Sequence, residues 1–305
     1  MISLSTVYNT YKYNSFAKCA DEIIGLGFGS VELTLETPGA WLPEIKQYVN
    51  TNKIKVSGLH NICPAIEPLP KNETYYSAYL LTDSDTSTRK KSIALTKETI
   101  TIAAELNAKY VVIHAGEIPA EINGRMVNSY AYKFGTKGML FEKYRAECIK
   151  QRQQNSKPYI NNLIKSLDEI LPHAQKNNIM LGLENRFYYH EIPVVEDLHI
   201  LFQKFNDAPV GYWHDAGHAE INTRLNFFKS PLDFLEPFKD KIIGFHLHDV
   251  VGIEDHFAPG MGEIDFKVFV PYIKPGTQLT IESHRKTSHS DLKKSLELIK
   301  KTFHV

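Results

Sequence analysis

The chain has 305 residues, of which 43% are hydrophobic and 23% charged, the composition of an ordinary globular protein with a sizeable core. Its 35 basic and 35 acidic residues cancel, whereas proteins that live on nucleic acid usually carry a basic excess. This balance argues against DNA as the main partner. No apolar run approaches the roughly 18 residues of a membrane span, and residues 1–14 lack the pattern of a secretory signal.

Three cysteines, Cys19, Cys63 and Cys148, are widely spaced along the chain. An odd number at such spacing predicts reduced thiols rather than a disulfide framework. Together with the missing signal, this predicts a cytoplasmic protein that does not act at a membrane.

Short apolar runs rich in β-branched residues alternate with helical stretches. The predicted strands cover residues 2–8, 30–36, 55–60, 110–116, 180–186, 210–218, 242–249 and 278–284. The predicted helices cover residues 15–26, 41–50, 87–107, 159–177, 195–205, 231–238, 266–272 and 290–303. This alternation predicts one α/β domain over residues 1–305, a (β/α)8 TIM barrel. A doubly wound sheet is the rival fold, but no Gly-x-Gly-x-x-Gly turn follows the first strand.

Two long segments, residues 61–86 and 117–138, follow the third and fourth predicted strands. Long connections at this end of a barrel lie over the active site. We therefore expect these segments to form lids and to determine substrate choice.

Residue types that bind metals recur at or just beyond the carboxyl ends of six predicted strands, the face on which barrels carry out chemistry. The nine candidates are His60, His114, Glu184, Asp215, His218, His246, Glu254, His256 and Glu282. The two-residue period of a strand allows each to point inward. A single histidine or glutamate at a strand end is more often a packed or paired residue. Nine together predict a metal centre, because a cation removes the cost of burying carboxylates.

Three further residues are predicted to contact the substrate: Arg186, His248 and His284. Arg186 and His284 each lie two residues beyond a predicted ligand, on the same inward face, and would suit an anion. A salt bridge at the rim is the alternative for Arg186, and support of Asp249 is the alternative for His248. His214 should face the helices and is predicted to be structural.

At these residues the sequence resembles the xylose isomerase-like TIM barrel superfamily of the AP endonuclease 2 type, in the branch shared by endonuclease IV and sugar-phosphate isomerases or epimerases. The resemblance covers nearly the whole chain in strand order. It is most specific in Asp215-Ala-Gly-His218, in Phe245-His246-Leu-His-Asp249 and in the spacing of His256, Gly260 and Gly262. The chain is also similar to cobamide-remodelling phosphodiesterases, in His60-Asn-Ile-Cys-Pro64 and Gly211-Tyr-Trp-His-Asp215.

The resemblance implies a role for each candidate ligand. Endonuclease IV holds three zinc ions with nine side chains, and the nine candidates fall on those positions, with Glu254 where that family has aspartate. The implied core ion would bind Glu184, Asp215, His246 and Glu282, which the isomerases share. The second would bind Glu184, His60 and His114, and the third His218, Glu254 and His256. The isomerases generally lack the histidines after strands three and four and the Glu-x-His pair.

The complete set favours a metal-dependent hydrolase, with up to three Zn²⁺ ions, that cleaves a phosphoester in a metabolite such as a cobamide. Paired ions ~3.5–4 Å apart stabilise both the attacking and the leaving oxygen. The alternative is a one-metal sugar or sugar-phosphate isomerase or epimerase with Mn²⁺, Co²⁺ or Mg²⁺, in which Glu184 and Glu282 transfer a proton beside a carbonyl. A barrel that only binds its ligand is a third hypothesis. The expected partner is a small molecule, with duplex DNA less favoured, and an oligomer is compatible with the sequence.

Overall fold

The computed structural model describes residues 2–284 and 287–305. Its strands are β1 (Ile2–Ser5), β2 (Ser30–Leu33), β3 (Lys55–His60), β4 (Tyr110–Ile113), β5 (Gly116–Glu117), β6 (Met180–Glu184), β7 (Glu191–Ile192), β8 (Val210–Asp215), β9 (Ile242–Leu247), β10 (Asp249–Val251), β11 (Glu254–Phe257) and β12 (Gln278–Ile281). Eight of them close a parallel barrel in the order β1-β2-β3-β4-β6-β8-β9-β12. The predicted (β/α)8 TIM barrel is confirmed.

Helices surround the barrel. They are α1 (Phe16–Gly25), α2 (Leu42–Asn50), α3 (Thr86–Glu105), α4 (Gly124–Phe134), α5 (Met139–Lys176), α6 (Val195–Lys204), α7 (Ala216–Arg224) and α8 (His289–Phe303). Short 3-10 segments at Pro231–Phe234, Glu236–Phe238 and Phe266–Tyr272 occupy two of the predicted helical stretches. In the described part of the chain, no helix is both long and apolar enough to cross a membrane.

The apolar runs form these strands because each barrel strand is covered on both sides. Val111, Leu181, Phe245 and Leu279 all lie in the main core cluster, between the barrel and its helices. Buried parallel strands read as continuous apolar runs for this reason. The core thereby fixes the strand ends, from which the polar side chains of the mouth project.

Most predicted strands extend past the observed ones at the carboxyl end. The sixth, for example, ends at Asp215, because the Asp215 carboxylate accepts a hydrogen bond from the His218 backbone N–H at 2.7 Å and caps α7. A residue that caps a helix has left the strand ladder. The mouth therefore consists of strand ends, helix starts and two small antiparallel pairs, β5 with β7 and β10 with β11.

Candidate metal centre

Four side chains meet at the carboxyl ends of neighbouring barrel strands. Glu184 ends β6, Asp215 ends β8, His246 lies in β9 and Glu282 follows β12. Parallel pairing sets Asp215 opposite His246 and His246 opposite Thr280, two residues before Glu282. One ligand atom from each of the four lies within 4.8 Å of the others, and all four residues are buried. We call these four residues the core group.

Within the core group, His246 is the central residue. Its Nδ1 lies 2.5 Å from Glu184 Oε1, 3.2 Å from Glu282 Oε2 and 3.8 Å from Asp215 Oδ2. Three carboxylates therefore surround one imidazole nitrogen, in a space where water cannot screen their charges. Such an arrangement favours a positive charge at its centre.

Glu32 completes this arrangement from behind, and sequence reasoning missed it. It lies in β2 with no exposed surface, and its Oε1 lies 2.9 Å from His246 Nε2. Its Oε2 has no hydrogen-bond partner among the described residues. The available signal was a lone glutamate inside an otherwise apolar strand, since such a residue is rarely buried unless it is paired.

The pKa values of the two glutamates of the core group are displaced in opposite directions. Burial disfavours the charged form of Glu184, but the neighbouring His246 and His114 outweigh it and hold the pKa of Glu184 well below its usual range. Burial raises the pKa of Glu282 to about 8. The negative charges of Glu184 and Glu32 add to this rise, and His246 opposes it. Glu184 is thus ionised at neutral pH, and Glu282 tends to keep a proton in the absence of a cation.

A second group, His60, His114 and Glu184, adjoins the core group. His114 Nε2 lies 2.8 Å and His60 Nε2 lies 3.9 Å from Glu184 Oε2, the oxygen that faces away from His246. Arg186 competes for the same oxygen, because its Nη1 donates a hydrogen bond to Glu184 Oε2 at 2.7 Å. Glu191 lies 3.7 Å from the other end of the Arg186 guanidinium. A permanent positive charge therefore lies where a second ion would have to bind.

A third group consists of His218, His248, Asp255 and His256. His248 Nε2 lies 2.9 Å from Asp215 Oδ1, which connects this group to the core group. Glu254, the predicted ligand, is exposed on β11 and does not belong to any of the metal-capable groups of described residues. Its neighbour Asp255 takes that place.

The predicted substrate contacts lie at different depths. Arg186 is largely buried against Glu184, and His248 is fully buried behind Asp215. His284 is exposed, and its ring stacks on His256 with centroids 3.6 Å apart. The Asp249 carboxylate accepts backbone hydrogen bonds from Val250, Gly260 and Ile264, and His248 is not one of its partners. His214 contacts Phe245 and Phe269 on the helix side, as predicted.

Asn185 connects the strand ends of the core group, and Gly217 allows α7 to pack closely against His248. Asn185 Oδ1 accepts a hydrogen bond from the Asp215 backbone N–H at 2.8 Å, and its Nδ2 donates to the Asp215 carbonyl at 2.9 Å. A Cβ at Gly217 would lie 2.0 Å from Cε1 of the His248 ring. Only glycine therefore allows α7 to approach His248 so closely.

The mouth above these groups contains two adjoining cavities. The inner cavity, of about 410 Å³, lies over the core group and is lined by His60, Glu184 and Glu282 among others. The outer cavity, of about 590 Å³, is lined by residues such as Phe257 and Met261. Tyr76, Asp255, His256 and His284 line both cavities, so they form a common wall.

Two curated proteins are similar in sequence. The uncharacterized protein y4fM of Sinorhizobium fredii is 25% identical over 179 residues, which cover 58% of this chain and 47% of that protein. The uncharacterized protein MJ1311 of Methanocaldococcus jannaschii is 26% identical over 218 residues, which cover 70% of this chain and 62% of that protein. The chain thus spans only about half to three-fifths of the length of these relatives.

Solved structures share the fold over nearly the full chain. A D-tagatose 3-epimerase-like protein has a TM-score of 0.67 at 20% identity, covering 99% of this chain and 97% of its own. The 3-keto-D-glucoside 4-epimerase YcjR from E. coli has a TM-score of 0.68 at 14% identity, covering 98% of both chains. The TTHB071 protein from Thermus thermophilus, soaked with ZnCl2, has a TM-score of 0.60 at 19% identity, covering 99% of this chain and 97% of its own.

The leading functional prediction, a metal-dependent phosphoester hydrolase, is wrong. Two of these structural neighbours are sugar epimerases by name, which favours the alternative that was predicted beside it, an isomerase or epimerase. The prediction relied on His60 and His114 as ligands of a further ion; in the structure the oxygen that they share, Glu184 Oε2, is also bound by Arg186.

Most of the chain matches a model of one protein family. A model described as the xylose isomerase-like TIM barrel matches residues 20–302, which include every barrel strand except β1 and every side chain of the metal-capable groups of described residues. This chain therefore belongs to the xylose isomerase-like TIM barrel family.

Proposed function

We propose that this protein is a sugar isomerase or epimerase that uses one divalent metal ion to move a proton at a carbon beside a carbonyl. The core group is the observation that carries the proposal: two glutamates, one aspartate and one histidine present ligand atoms within 4.8 Å of one another at the mouth of the barrel.

The donor set of the core group fits a divalent cation. Three buried carboxylates so close together repel one another, and a doubly charged ion neutralises that repulsion. Carboxylate oxygens with one imidazole suit Mn²⁺, Co²⁺ or Mg²⁺, whereas a soft-metal site would be expected to offer thiolates. We propose that Glu184, Asp215, His246 and Glu282 hold this ion.

The two glutamates are suited to acid–base chemistry. When bound, the ion would polarise the sugar carbonyl and so acidify the neighbouring C–H. Glu184 and Glu282 lie on separate strands, β6 and the end of β12, and their pKa values are displaced in opposite directions. One carboxylate can therefore take a proton from carbon while the other returns one. Burial of both side chains keeps bulk water away from the exchanging proton.

Arg186 supports the use of a single ion at this centre. Its guanidinium is always charged, and it binds Glu184 Oε2, the oxygen that the second group would need for its own ion. His60 and His114 are then available to donate hydrogen bonds to substrate oxygens.

The direct test is isotope exchange. We would strip the protein with a chelator, reload it with Mn²⁺ and incubate it with ketoses in D2O. Deuterium should enter C2 or C3 during turnover, as measured by NMR and mass spectrometry. Glu282→Gln should lower exchange by roughly 10²–10⁴-fold, the usual contribution of a general acid–base group.

Lys204→Met is a suitable control, since Lys204 is paired with Asp168 on the helical surface. Its exchange rate should equal that of the wild type. The proposal would be abandoned if the folded, metal-loaded protein exchanged deuterium with none of a broad panel of free, phosphorylated and glycosylated sugars.

A further inference from the structure

The outer cavity is larger than a single reacting sugar requires. The inner cavity, about 410 Å³, already reaches the core group, and the outer cavity adds about 590 Å³ beside it. Each falls within the range of about 300–1,000 Å³ that is typical of a whole ligand site. The mouth therefore has room for a second chemical group that stays out of reach of the metal-capable carboxylates.

The common wall shows how a ligand would extend from one cavity into the other. His256 is stacked between His248, at 4.1 Å, and His284, at 3.6 Å between ring centroids. The His284 backbone N–H also donates a hydrogen bond to the His256 carbonyl at 3.1 Å. These three rings are nearly parallel, and a ligand that passes along His256 and His284 in the common wall would connect both cavities.

The outer cavity offers both kinds of contact that a neutral sugar ring makes. Phe257, Ala258 and Met261 provide apolar surface for the C–H face of a ring. Glu254 is exposed at its edge, and the buried Asp255 Oδ2 lies 3.6 Å from His218 Nε2 but has no hydrogen-bond partner among the described residues. Ionised carboxylates only accept hydrogen bonds, so they suit hydroxyl groups. They repel a phosphate or a carboxylate by charge.

We propose, building on the isomerase or epimerase function proposed above, that the substrate is a glycoside rather than a free or phosphorylated monosaccharide. The reacting sugar occupies the inner cavity, and a neutral substituent of the size of a second sugar ring occupies the outer cavity. Asp255 accepts a hydrogen bond from a substituent hydroxyl, and Met261 packs against its ring.

The test compares three substrate classes in the D2O exchange assay: free ketohexoses, their phosphates, and neutral disaccharides that contain the same sugars. We expect kcat/KM for the best disaccharide to exceed that for the matching free sugar by at least tenfold. Met261→Trp, which fills the outer cavity, should lower the ratio of the disaccharide value to the free-sugar value tenfold or more. Free-sugar exchange that is still measurable in the variant shows that it is folded.

Val268→Trp is the matched control. Val268 is a partly exposed apolar residue on the 3-10 segment Phe266–Tyr272 and does not line either cavity. The same substitution there should therefore leave every rate unchanged. If free or phosphorylated sugars exchange as fast as disaccharides, or Met261→Trp slows all classes equally, the glycoside proposal is overturned and the proton-transfer function stands. If no class exchanges, the proton-transfer function itself fails, and the glycoside proposal fails with it.

Discussion

Glu32 lies behind His246 and leaves this imidazole little freedom of orientation. Its Oε1 is 2.9 Å from His246 Nε2, while the opposite ring nitrogen, Nδ1, faces the carboxylates of the core group. A carboxylate behind a metal-binding histidine fixes the tautomer, orients the ring and raises its basicity. Glu32 thus acts through His246, as a positioning residue.

Replacing Glu32 with glutamine tests this role. Glu32→Gln keeps the size of the side chain but removes its charge, so we expect Mn²⁺ affinity to fall by roughly 10–100-fold. Isothermal titration calorimetry measures the change, and urea unfolding of the metal-free protein checks that the variant is folded. Glu105→Gln, an exposed partner of Lys46, serves as the control. Unchanged Mn²⁺ affinity in Glu32→Gln would show that Glu32 is merely a buried polar residue.

We expect Arg186 to limit the number of ions that the centre accepts. Two unit charges about 4 Å apart repel by about 4 kcal/mol at an effective dielectric constant near 20, so the Arg186 guanidinium should exclude a cation from His60, His114 and Glu184. We expect Arg186→Met to raise Mn²⁺ affinity at this second group by a factor on the order of 10³, since each step of about 1.4 kcal/mol corresponds to tenfold. Paired Mn²⁺ ions would be seen by electron paramagnetic resonance as spin coupling. Spin coupling already present in the wild type would refute the exclusion.

The predicted ligands differ in how well sequence could identify them. Glu184, Asp215, His246 and Glu282 end regular parallel strands, where a two-residue period reliably sets the inward face. Glu254 was assigned as a ligand from the Glu-x-His pair of the resemblance, but His256 has a φ of 60° and leaves the extended conformation. Alternation therefore fails in this hairpin, so that the adjacent Asp255 and His256 both reach the third group. A local break of this kind has no signature in residue type.

Among the secondary-structure elements, the β5–β7 pair and the start of α4 are joined by one partly buried ionic cluster. Glu117 in β5 lies 2.8 Å from Arg125 in α4 and 3.6 Å from His190, which precedes β7. The hydrogen bond with His190, reinforced by Arg125, lowers the pKa of Glu117 to about 2. This cluster connects the predicted lid segment to the barrel rim.

A lowered pKa predicts a specific dependence of stability on pH. An unfolded glutamate titrates near pH 4.3, so the ionised Glu117 stabilises the fold above that pH and loses its contribution as the pH falls toward about 2. Glu117→Gln should therefore be less stable than the wild type in urea at pH 7, and the difference should shrink steadily between pH 4.5 and 2. Glu121→Gln, at an exposed position nearby, controls for the lost charge. A difference that does not vary with pH would exclude this electrostatic role.

One helical segment missed by the sequence prediction has no clear apolar period. Residues 139–158 form the first half of α5, yet little more than Phe141, Cys148 and Arg152 is buried there. A helix with so narrow a buried face shows no clear amphipathic pattern. The barrel strands were found because burial on both faces imposes continuous apolar runs. Helix α4 was missed because its segment was interpreted as an irregular lid.

At the scale of the whole molecule, the fold was easier to predict than the chemistry. Eight strands and their order determine where the mouth lies, and the active sites of characterised barrel enzymes lie at this face. The number of ions depends instead on contacts such as Arg186 to Glu184, which connect side chains that already share a face. Residue types at strand ends therefore predicted a metal-capable site but selected the wrong reaction.

The whole barrel should respond to the ion of the core group. A ligand that binds only the folded state at 100 times its Kd adds about 2.7 kcal/mol to the free energy of unfolding. Since 1 kcal/mol shifts the melting temperature of a large domain by roughly 2–4 °C, we expect Mn²⁺ to raise Tm by at least about 5 °C. Calorimetry with and without chelator measures this shift. In Asp215→Asn, which removes one ligand charge of the core group, the shift should largely disappear, whereas in His284→Ala, outside all three groups, it should persist. An equal shift in Asp215→Asn and the wild type would place the stabilising ion outside the core group.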